Sequence, residues 1–219
     1  MNHQGIWCAA CDNVLPYLDT VRCPVCALPT PQGEICGHCL QHPPLFTHTQ
    51  ALFAYAHPVD KLIQAMKYGE QLSLAHHFAQ QLAQLANLDA LPDVLLAMPL
   101  HPNKLRERGF NQSLLLAQKL ADKLHLDFWP HACQRVRDTP AQSTLPWAQR
   151  KKNVHQAFTC TTDMTGRHVA LVDDVLTSGA SLNALAAAIH ARGAETISVY
   201  VVARTLSHTD TAQLNHSTL

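Results

Sequence analysis

The chain has 219 residues, of which 47% are apolar and 15% are charged, and its formal net charge is zero with histidine neutral. This length allows one globular domain with a small appendage, and the composition excludes a disordered chain. No run approaches the roughly 20 apolar residues that a membrane span requires, so we predict no membrane span. The first residues lack the basic start and apolar core of an export signal, and we therefore expect a cytoplasmic protein.

The chain begins with a cysteine-rich segment. Six of the eight cysteines form three C-x-x-C pairs, which are Cys8/Cys11, Cys23/Cys26 and Cys36/Cys39. Two such turns supply the four thiolates of a tetrahedral zinc site. The nine residues between the second and third pairs are typical of a compact zinc knuckle. We therefore predict that a structural Zn²⁺ is bound by Cys23, Cys26, Cys36 and Cys39.

The first cysteine pair is one more than this site needs. Cys8 and Cys11 bind metal with a partner such as His38 or His42, replace one of the other pairs, or stay free, and the sequence leaves these alternatives open. A redox role for a single pair is a weaker alternative. The last two cysteines have no paired spacing, so we interpret them as ordinary semi-buried side chains: Cys133 and Cys160.

A proline-rich stretch at residues 42–44 predicts a linker. It divides the chain into a cysteine-rich zinc-binding module at 1–45 and a main domain at 46–219. Within the main domain, strands are predicted at 50–55, 94–98, 126–129, 169–172 and 196–203. Helices are predicted at 58–68, 72–87 and 111–124, with a last one that ends before Gly193. Strands that alternate with helices predict an α/β fold, with a mostly parallel sheet flanked by helices.

The stretch 168–181 carries the strongest chemical signal. A short apolar run, typical of a buried parallel strand, leads directly into Asp173 and Asp174. Open α/β sheets bind ligands at the carboxyl ends of their strands. The next loop offers the hydroxyls of Thr177, Ser178 and Ser181, and it opens a helix whose N-terminus favours an anion. The pattern predicts a phosphorylated-sugar site, with phosphate in the loop and ribose hydroxyls on the carboxylates. An ordinary buried strand and turn would explain only one of the carboxylates.

A cationic segment at 99–113 lies between a predicted strand and a predicted helix, on the face where ligands are expected. Lys104, Arg106 and Arg108 suit contacts with phosphate, and Gly109 lets the chain turn. The alternative is a solvated charged loop. Lys67 either binds phosphate or only offsets a helix dipole. For the basic stretch 139–158, an exposed turn is the preferred interpretation.

The Asp-Asp stretch resembles the signature of the type I phosphoribosyltransferases, which bind phosphoribosyl pyrophosphate (PRPP). The resemblance implies that Asp173 and Asp174 face the ribose 2- and 3-hydroxyls. It also implies that the 5-phosphate is held by Thr177, Ser178, Gly179, Ala180 and Ser181. Some proteins with this motif bind PRPP without catalysis, so the motif indicates a site more than a reaction.

The order of motifs along the chain resembles the ComF/GntX family. Paired cysteines come first, followed by L-I-x-x-M-K-Y-G, P-L-H-P-x-K-L-R-E-R-G-F-N-Q-S, T-P-A-Q-S-x-L and the Asp-Asp loop. The resemblance runs from about Cys8 to Arg204 and implies a zinc-finger-like start before a type I phosphoribosyltransferase-like domain. Many relatives carry a further C-x-x-C upstream that this chain lacks, which favours the later four cysteines as the metal site.

The family is linked to natural competence, in which single-stranded DNA enters the cytoplasm. One hypothesis is therefore a PRPP-binding accessory in DNA uptake, whose zinc module and basic loops contact single-stranded DNA and whose partners are DNA-uptake proteins. Only Phe110 and Trp147 lie near the basic loops for base stacking.

The alternative hypothesis is a PRPP-dependent transferase of nucleotide metabolism with an unknown acceptor. Mg²⁺ would then bridge the pyrophosphate and ribose oxygens. Asp173 and Asp174 would steady the positive charge that develops on the ribose, and Arg106 and Arg108 would neutralise the leaving pyrophosphate. Lys67 and Lys104 are assigned to phosphate binding.

Overall fold

The structure is a computed structural model that describes residues 6–18, 21–68, 71–138 and 157–206. The helices are α1 (Ala9–Asp12), α2 (Gly37–Gln41), α3 (Val59–Lys67), α4 (Ser73–Leu85), α5 (Pro102–Arg108), α6 (Gln112–Leu124) and α7 (Ala180–His190), with a 3₁₀ turn at Leu88–Ala90. The strands are β1 (His48–Ala54), β2 (Val94–Ala97), β3 (Asp127–Phe128), β4 (Cys133–Arg135), β5 (Phe158–Cys160), β6 (His168–Leu176) and β7 (Thr196–Arg204). None of these helices is long and apolar enough to cross a bilayer.

Five strands form one parallel sheet in the order β1-β7-β6-β2-β3, which confirms the predicted α/β class. The remaining two strands, β4 and β5, pair as a separate antiparallel hairpin that the sequence did not predict. Strand β6 lies between β7 and β2, so both of its neighbours shield it from solvent. Its carboxyl end therefore reaches the middle of the sheet edge, where the predicted ligand site belongs.

The sheet is covered on both faces, as a parallel sheet requires. Alternate residues of β6 enter different cores: Val169 and Leu171 pack with α7 and the β4–β5 hairpin, whereas Ala170 and Val172 pack with α3, α4 and α6. The inward face of α7 consists of buried apolar side chains: Leu182, Leu185, Ala186 and Ile189. Apolar residues on both faces explain why the strand sequence is a continuous apolar run rather than an alternating one.

Strand β6 is longer than predicted. Its apolar run was predicted at 169–172, with the two carboxylates at its end, but its pairing with β7 continues as far as Leu176 and Arg204. Its pairing with β2 ends earlier, at Val172 and Ala97. Asp173 and Asp174 therefore lie within a strand that is paired on one side and open on the other, because β2 turns away where Pro99 follows it.

The cationic segment predicted as a loop contains a helix, α5. His101 caps it by accepting a hydrogen bond from the backbone N–H of Asn103 at 3.3 Å, and Pro102 occupies the first turn, where its missing N–H costs nothing. Gly109 ends the helix in the left-handed region, with φ of 82°. The predicted turn at Gly109 is therefore confirmed. The prediction that the residues before it form a loop was wrong, because they form α5.

Cys133 and Cys160 form a disulfide, so their interpretation as ordinary cysteines was wrong. They are 27 residues apart, and only the register of the β4–β5 hairpin brings them directly opposite one another, with 4.1 Å between their Cα atoms. Sequence spacing carries no signal for such a pair, because the pairing depends on the register between two strands that are far apart in the chain.

The cysteine-rich segment packs against the main domain. The backbone N–H of Thr49 donates to the carbonyl of Pro24 at 2.9 Å, and its hydroxyl donates to the carbonyl of Val25 at 2.6 Å. Arg204, at the end of β7, donates from Nε to the carbonyl of Cys26 at 2.8 Å. The boundary near residue 45 stays a prediction. The bonds from Thr49 attach the module to the amino-terminal part of β1, and the bond from Arg204 attaches it close to the end of β6.

Candidate functional site

Two carboxylates lie side by side at the open end of β6. Asp174 is only 5% exposed, and its Oδ2 accepts hydrogen bonds from Lys67 Nζ at 3.0 Å and from Gln112 Nε2 at 2.8 Å. Lys67 ends helix α3, and Gln112 begins α6, so two helices converge on one carboxylate oxygen. Burial opposes the ammonium charge of Lys67, but the neighbouring Asp174 outweighs it and raises the pKa of Lys67.

Asp173 has a separate set of partners. Its Oδ1 accepts from the Ser113 hydroxyl at 2.9 Å and from the backbone N–H of Asp174 at 2.9 Å. Desolvation and the charge of Asp174 raise the pKa of Asp173 to about 7, although the hydrogen bond from Ser113 opposes the shift. The site therefore carries a carboxylate whose charge is easily changed near neutral pH by a proton or a cation.

The start of α6 holds both carboxylate partners in place. Asn111 caps the helix: its side-chain oxygen accepts from the Ser113 N–H at 3.0 Å, and its Nδ2 donates to the carbonyl of Met98 at 3.0 Å. Gln112 and Ser113 are 4% and 1% exposed. Gln112 and Ser113 lie in the R-G-F-N-Q-S element, and no site role was predicted for either residue. Their signal was polar residues in the first turn of a helix that follows a buried strand.

The predicted phosphate loop follows β6. Gly179 adopts φ of 74° and is the N-terminal cap of α7, whose first N–H groups have no intrahelical acceptor. Thr177 and Ser178 precede it in the chain, and Ala180 and Ser181 follow it as the first residues of α7. A small concavity of about 50 Å³ is lined by this loop and by Asp173. Carboxylate and loop thus face a common space, which is what a ribose phosphate needs.

Arg204 supports the phosphate loop from behind and was not predicted. It is 8% exposed, and its Nη1 donates to the carbonyl of Leu176 at 2.9 Å and to that of Thr177 at 2.5 Å. Because its Nε also binds Cys26, one guanidinium joins the last strand, the loop and the cysteine-rich module. These bonds fix the carbonyl groups at the start of the loop from the side of Arg204.

The three predicted cations differ in their surroundings. Arg108 Nη1 donates to Gln112 Oε1 at 2.5 Å, and this links it to Asp174 through one side chain. Lys104 forms a 2.9 Å ion pair with Glu107, and Arg106 donates to Asn103, both within α5. The structure therefore joins Arg108 to the carboxylates, whereas these contacts of Lys104 and Arg106 lie along their own helix. Trp147 and most of the basic stretch 139–158 lie outside the described residues.

Four cysteines form a cluster that can hold a metal ion. The Sγ atoms of Cys23, Cys26, Cys36 and Cys39 all lie within 4.8 Å of one another, and Cys26 and Cys36 are 3.6 Å apart. Tetrahedral thiolate ligation at about 2.3 Å requires sulfur separations of nearly 4 Å, so the spacing fits such an ion. Burial raises the pKa of Cys26 to about 11, and a cation is what would stabilise its thiolate. The Cys36 N–H donates to Cys23 Sγ at 3.3 Å, as expected around a thiolate cluster.

Cys8 and Cys11 do not join this cluster. Both are exposed at α1, and among the described residues no third ligand groups with them. The structure therefore favours the four later cysteines as the metal centre. The predicted partners His38 and His42 lie next to each other, with ring centroids 5.5 Å apart, on α2 and its C-terminal end.

The parallel sheet flanked by helices is a phosphoribosyltransferase-like fold, and residues 111–213 match the phosphoribosyl transferase domain family. The chain is 34% identical over 213 residues to DNA utilization protein YhgH of Shigella flexneri, covering 94% of this chain and 93% of that one. It is 32% identical to Competence protein F of Haemophilus influenzae, covering 78% and 79%, and 23% identical to Competence protein ComFC of Bacillus subtilis, covering 90% and 83%. The chain belongs to the ComF/GntX family of phosphoribosyltransferase-like proteins.

Proposed function

We propose that the protein binds PRPP at the end of β6 and uses this site in the handling of DNA. The ribose hydroxyls donate to Asp173 and Asp174, and the 5-phosphate accepts from the N–H groups and hydroxyls of residues 177–181. The observation that carries the proposal is the carboxylate pair, in which Asp174 is buried and Asp173 is partly buried. Ser113 fixes Oδ1 of Asp173, and Gln112 and Lys67 fix Oδ2 of Asp174, beside the loop that follows β6. Fixed acceptors bind a ribose without reorganisation.

The same residues fit magnesium delivered with PRPP. Hard carboxylate oxygens are the ligands that Mg²⁺ prefers, and the two aspartates present them at the open strand end. When bound, Mg²⁺ would neutralise negative charge on the pyrophosphate. The ammonium group of Lys67 forms an ion pair with Oδ2 of Asp174. When no ligand is bound, Lys67 therefore supplies the positive charge at this carboxylate. Arg108 reaches the same place through Gln112 and is the cation best placed for the pyrophosphate. Arg106 and Lys104 extend its positive charge along α5.

Titration calorimetry with PRPP and MgCl₂ tests the binding step. Asp174→Asn is expected to weaken PRPP binding by tenfold or more. A neutral amide cannot replace the negative charge of the carboxylate, with which both Lys67 and the ligand interact. Asp122→Asn removes the same charge from an exposed surface pair and serves as the control. Absence of heat with the unchanged protein would contradict the proposal, as would equal affinity in Asp174→Asn.

The role in DNA handling is supported by the names of the relatives, one a DNA utilization protein and two competence proteins. We propose that the zinc-binding module and the cations of α5 contact the backbone of single-stranded DNA. A mobility-shift assay across salt concentrations measures this, since each displaced counterion lowers affinity as salt rises. No retardation at low salt would contradict DNA contact while leaving PRPP binding intact.

A transferase activity is the second candidate, and the match to the phosphoribosyl transferase domain family favours it. Release of pyrophosphate from PRPP with nucleobases or amines would show it. PRPP binding without pyrophosphate release would favour the accessory role instead.

A further inference from the structure

A cavity of about 800 Å³ separates the cysteine-rich module from α7. On one side it is lined by α2 and the segment that follows, including His38, His42 and Pro44. On the other side it is lined by α7, including Ala184 and Ala187. This volume lies within the roughly 300–1,000 Å³ of small-molecule sites, which often form between domains.

The two walls are fastened to each other. The backbone N–H of Leu45 donates to Asn183 Oδ1 at 2.7 Å, and His190 Nε2 lies 2.9 Å from the carbonyl oxygen of Leu45. Leu45 therefore attaches the end of the module to the middle and the end of α7. The cavity is therefore an open cleft between two segments that are hydrogen-bonded to each other.

The cavity meets the phosphate loop. Gly179 and Ala180 line both the large cavity and the small concavity of the loop. Asp173 lines the small concavity, but neither Asp173 nor Asp174 lines the large cavity. The large cavity thus opens at the phosphate end of the site, away from the carboxylates that would hold the ribose hydroxyls.

A group that fills the cavity must therefore be attached through the 5-phosphate. We propose that the site accepts a ribose 5-phosphate that is joined through a diphosphate to a nucleoside. This inference rests on the proposed function, because it takes the loop as the phosphate site. Phe158 and Pro44 give the base of this nucleoside apolar surface, and the imidazoles of His38 and His42 give it stacking and hydrogen-bonding partners.

Calorimetry with two probes, ribose 5-phosphate and ADP-ribose, tests this in the presence of MgCl₂. ADP-ribose carries the nucleoside and is expected to bind at least tenfold more tightly. Ala187→Trp fills the cavity from an exposed position on α7. It is expected to reduce the affinity for ADP-ribose to that for ribose 5-phosphate. The affinity for ribose 5-phosphate should not change. Ala191→Trp, exposed just beyond α7 and outside the cavity lining, is the matched control and should change neither.

The outcomes separate the two proposals. If ribose 5-phosphate binds and ADP-ribose binds no more tightly, the cavity proposal falls while the phosphate site stands. If ADP-ribose binds more tightly but Ala187→Trp retains the full difference, the cavity is again excluded as the place of the nucleoside. If neither probe nor PRPP binds, both proposals fall together.

Discussion

Gln112 donates a 2.8 Å hydrogen bond to Asp174 while its own carbonyl oxygen accepts from Arg108. One buried amide therefore aligns a carboxylate with a cation, and its orientation is fixed because only its nitrogen can donate to Asp174. Gln112→Ala is expected to lower the free energy of unfolding by about 1–3 kcal/mol, since it leaves polar partners unsatisfied. It should also weaken PRPP binding.

Urea denaturation and calorimetry measure the two effects of Gln112→Ala. Gln118→Ala on the exposed face of the same helix is the control for the loss of an amide side chain. If both variants behaved alike, Gln112 would have no positioning role.

The raised pKa of Asp173 makes stability depend on pH. Its folded-state pKa of about 7 exceeds its ordinary value of 3.8, so the folded protein binds more protons than the unfolded chain between these values. The contribution of Asp173 is therefore full below about pH 4 and is lost as pH rises through about 7. Asp173→Asn should raise the free energy of unfolding at pH 8 by about 1–3 kcal/mol and flatten its decline with pH.

Denaturation curves at several pH values measure this, with Asp122→Asn as the exposed control that keeps the decline. An unchanged pH profile in Asp173→Asn would show that the carboxyl is already ionised in the acid range.

The four-cysteine cluster predicts one metal ion per chain. Removal of the metal by a chelator should lower the melting temperature, because binding supplies folding energy to the small module. Cys26→Ser should abolish the bound metal, whereas Cys11→Ser, at an exposed cysteine outside the cluster, should retain it. Elemental analysis of purified protein gives the ratio. Equal metal loss in both variants would contradict the assignment.

Gly179 combines a backbone requirement with a site role. A Cβ there would meet Leu176 Cδ1 at 3.5 Å and Phe46 Cζ at 3.8 Å, which are ordinary contacts, so the cost of Gly179→Ala comes from its positive φ. That cost is about 1 kcal/mol. Gly166→Ala has a similar φ of 70° in open space and should lose similar stability.

Only Gly179→Ala should lose affinity for PRPP, because only this change shifts the phosphate loop. Thermal unfolding and calorimetry on both variants separate strain from function. Equal affinity in the two variants would contradict the place of the phosphate.

The part of the site that consists of contiguous residues could be predicted from the sequence. Asp173, Asp174 and the loop are contiguous, and the apolar run before them identifies the strand, so local pattern sufficed. Ser113 and Gln112 lie 60 and 62 residues from their carboxylate partners, and the Cys133–Cys160 pair depends on a hairpin register. These contacts come from tertiary packing, which no local period encodes. The helix α5 was missed because its charged residues outweighed the signals of Pro102 and Gly109.

The position of Arg204 in the chain determines when the phosphate loop can form during synthesis. The four cluster cysteines span residues 23–39, so they can gather around a metal while most of the chain is still being made. The phosphate loop lacks its support until Arg204 has left the ribosome, since that residue, 178 positions after Cys26, binds the carbonyls of Leu176 and Thr177. A nascent chain stalled before residue 204 should therefore bind its metal, but its phosphate loop should lack the hydrogen bonds from Arg204. Limited proteolysis should then cleave it near Thr177 more readily than the finished protein.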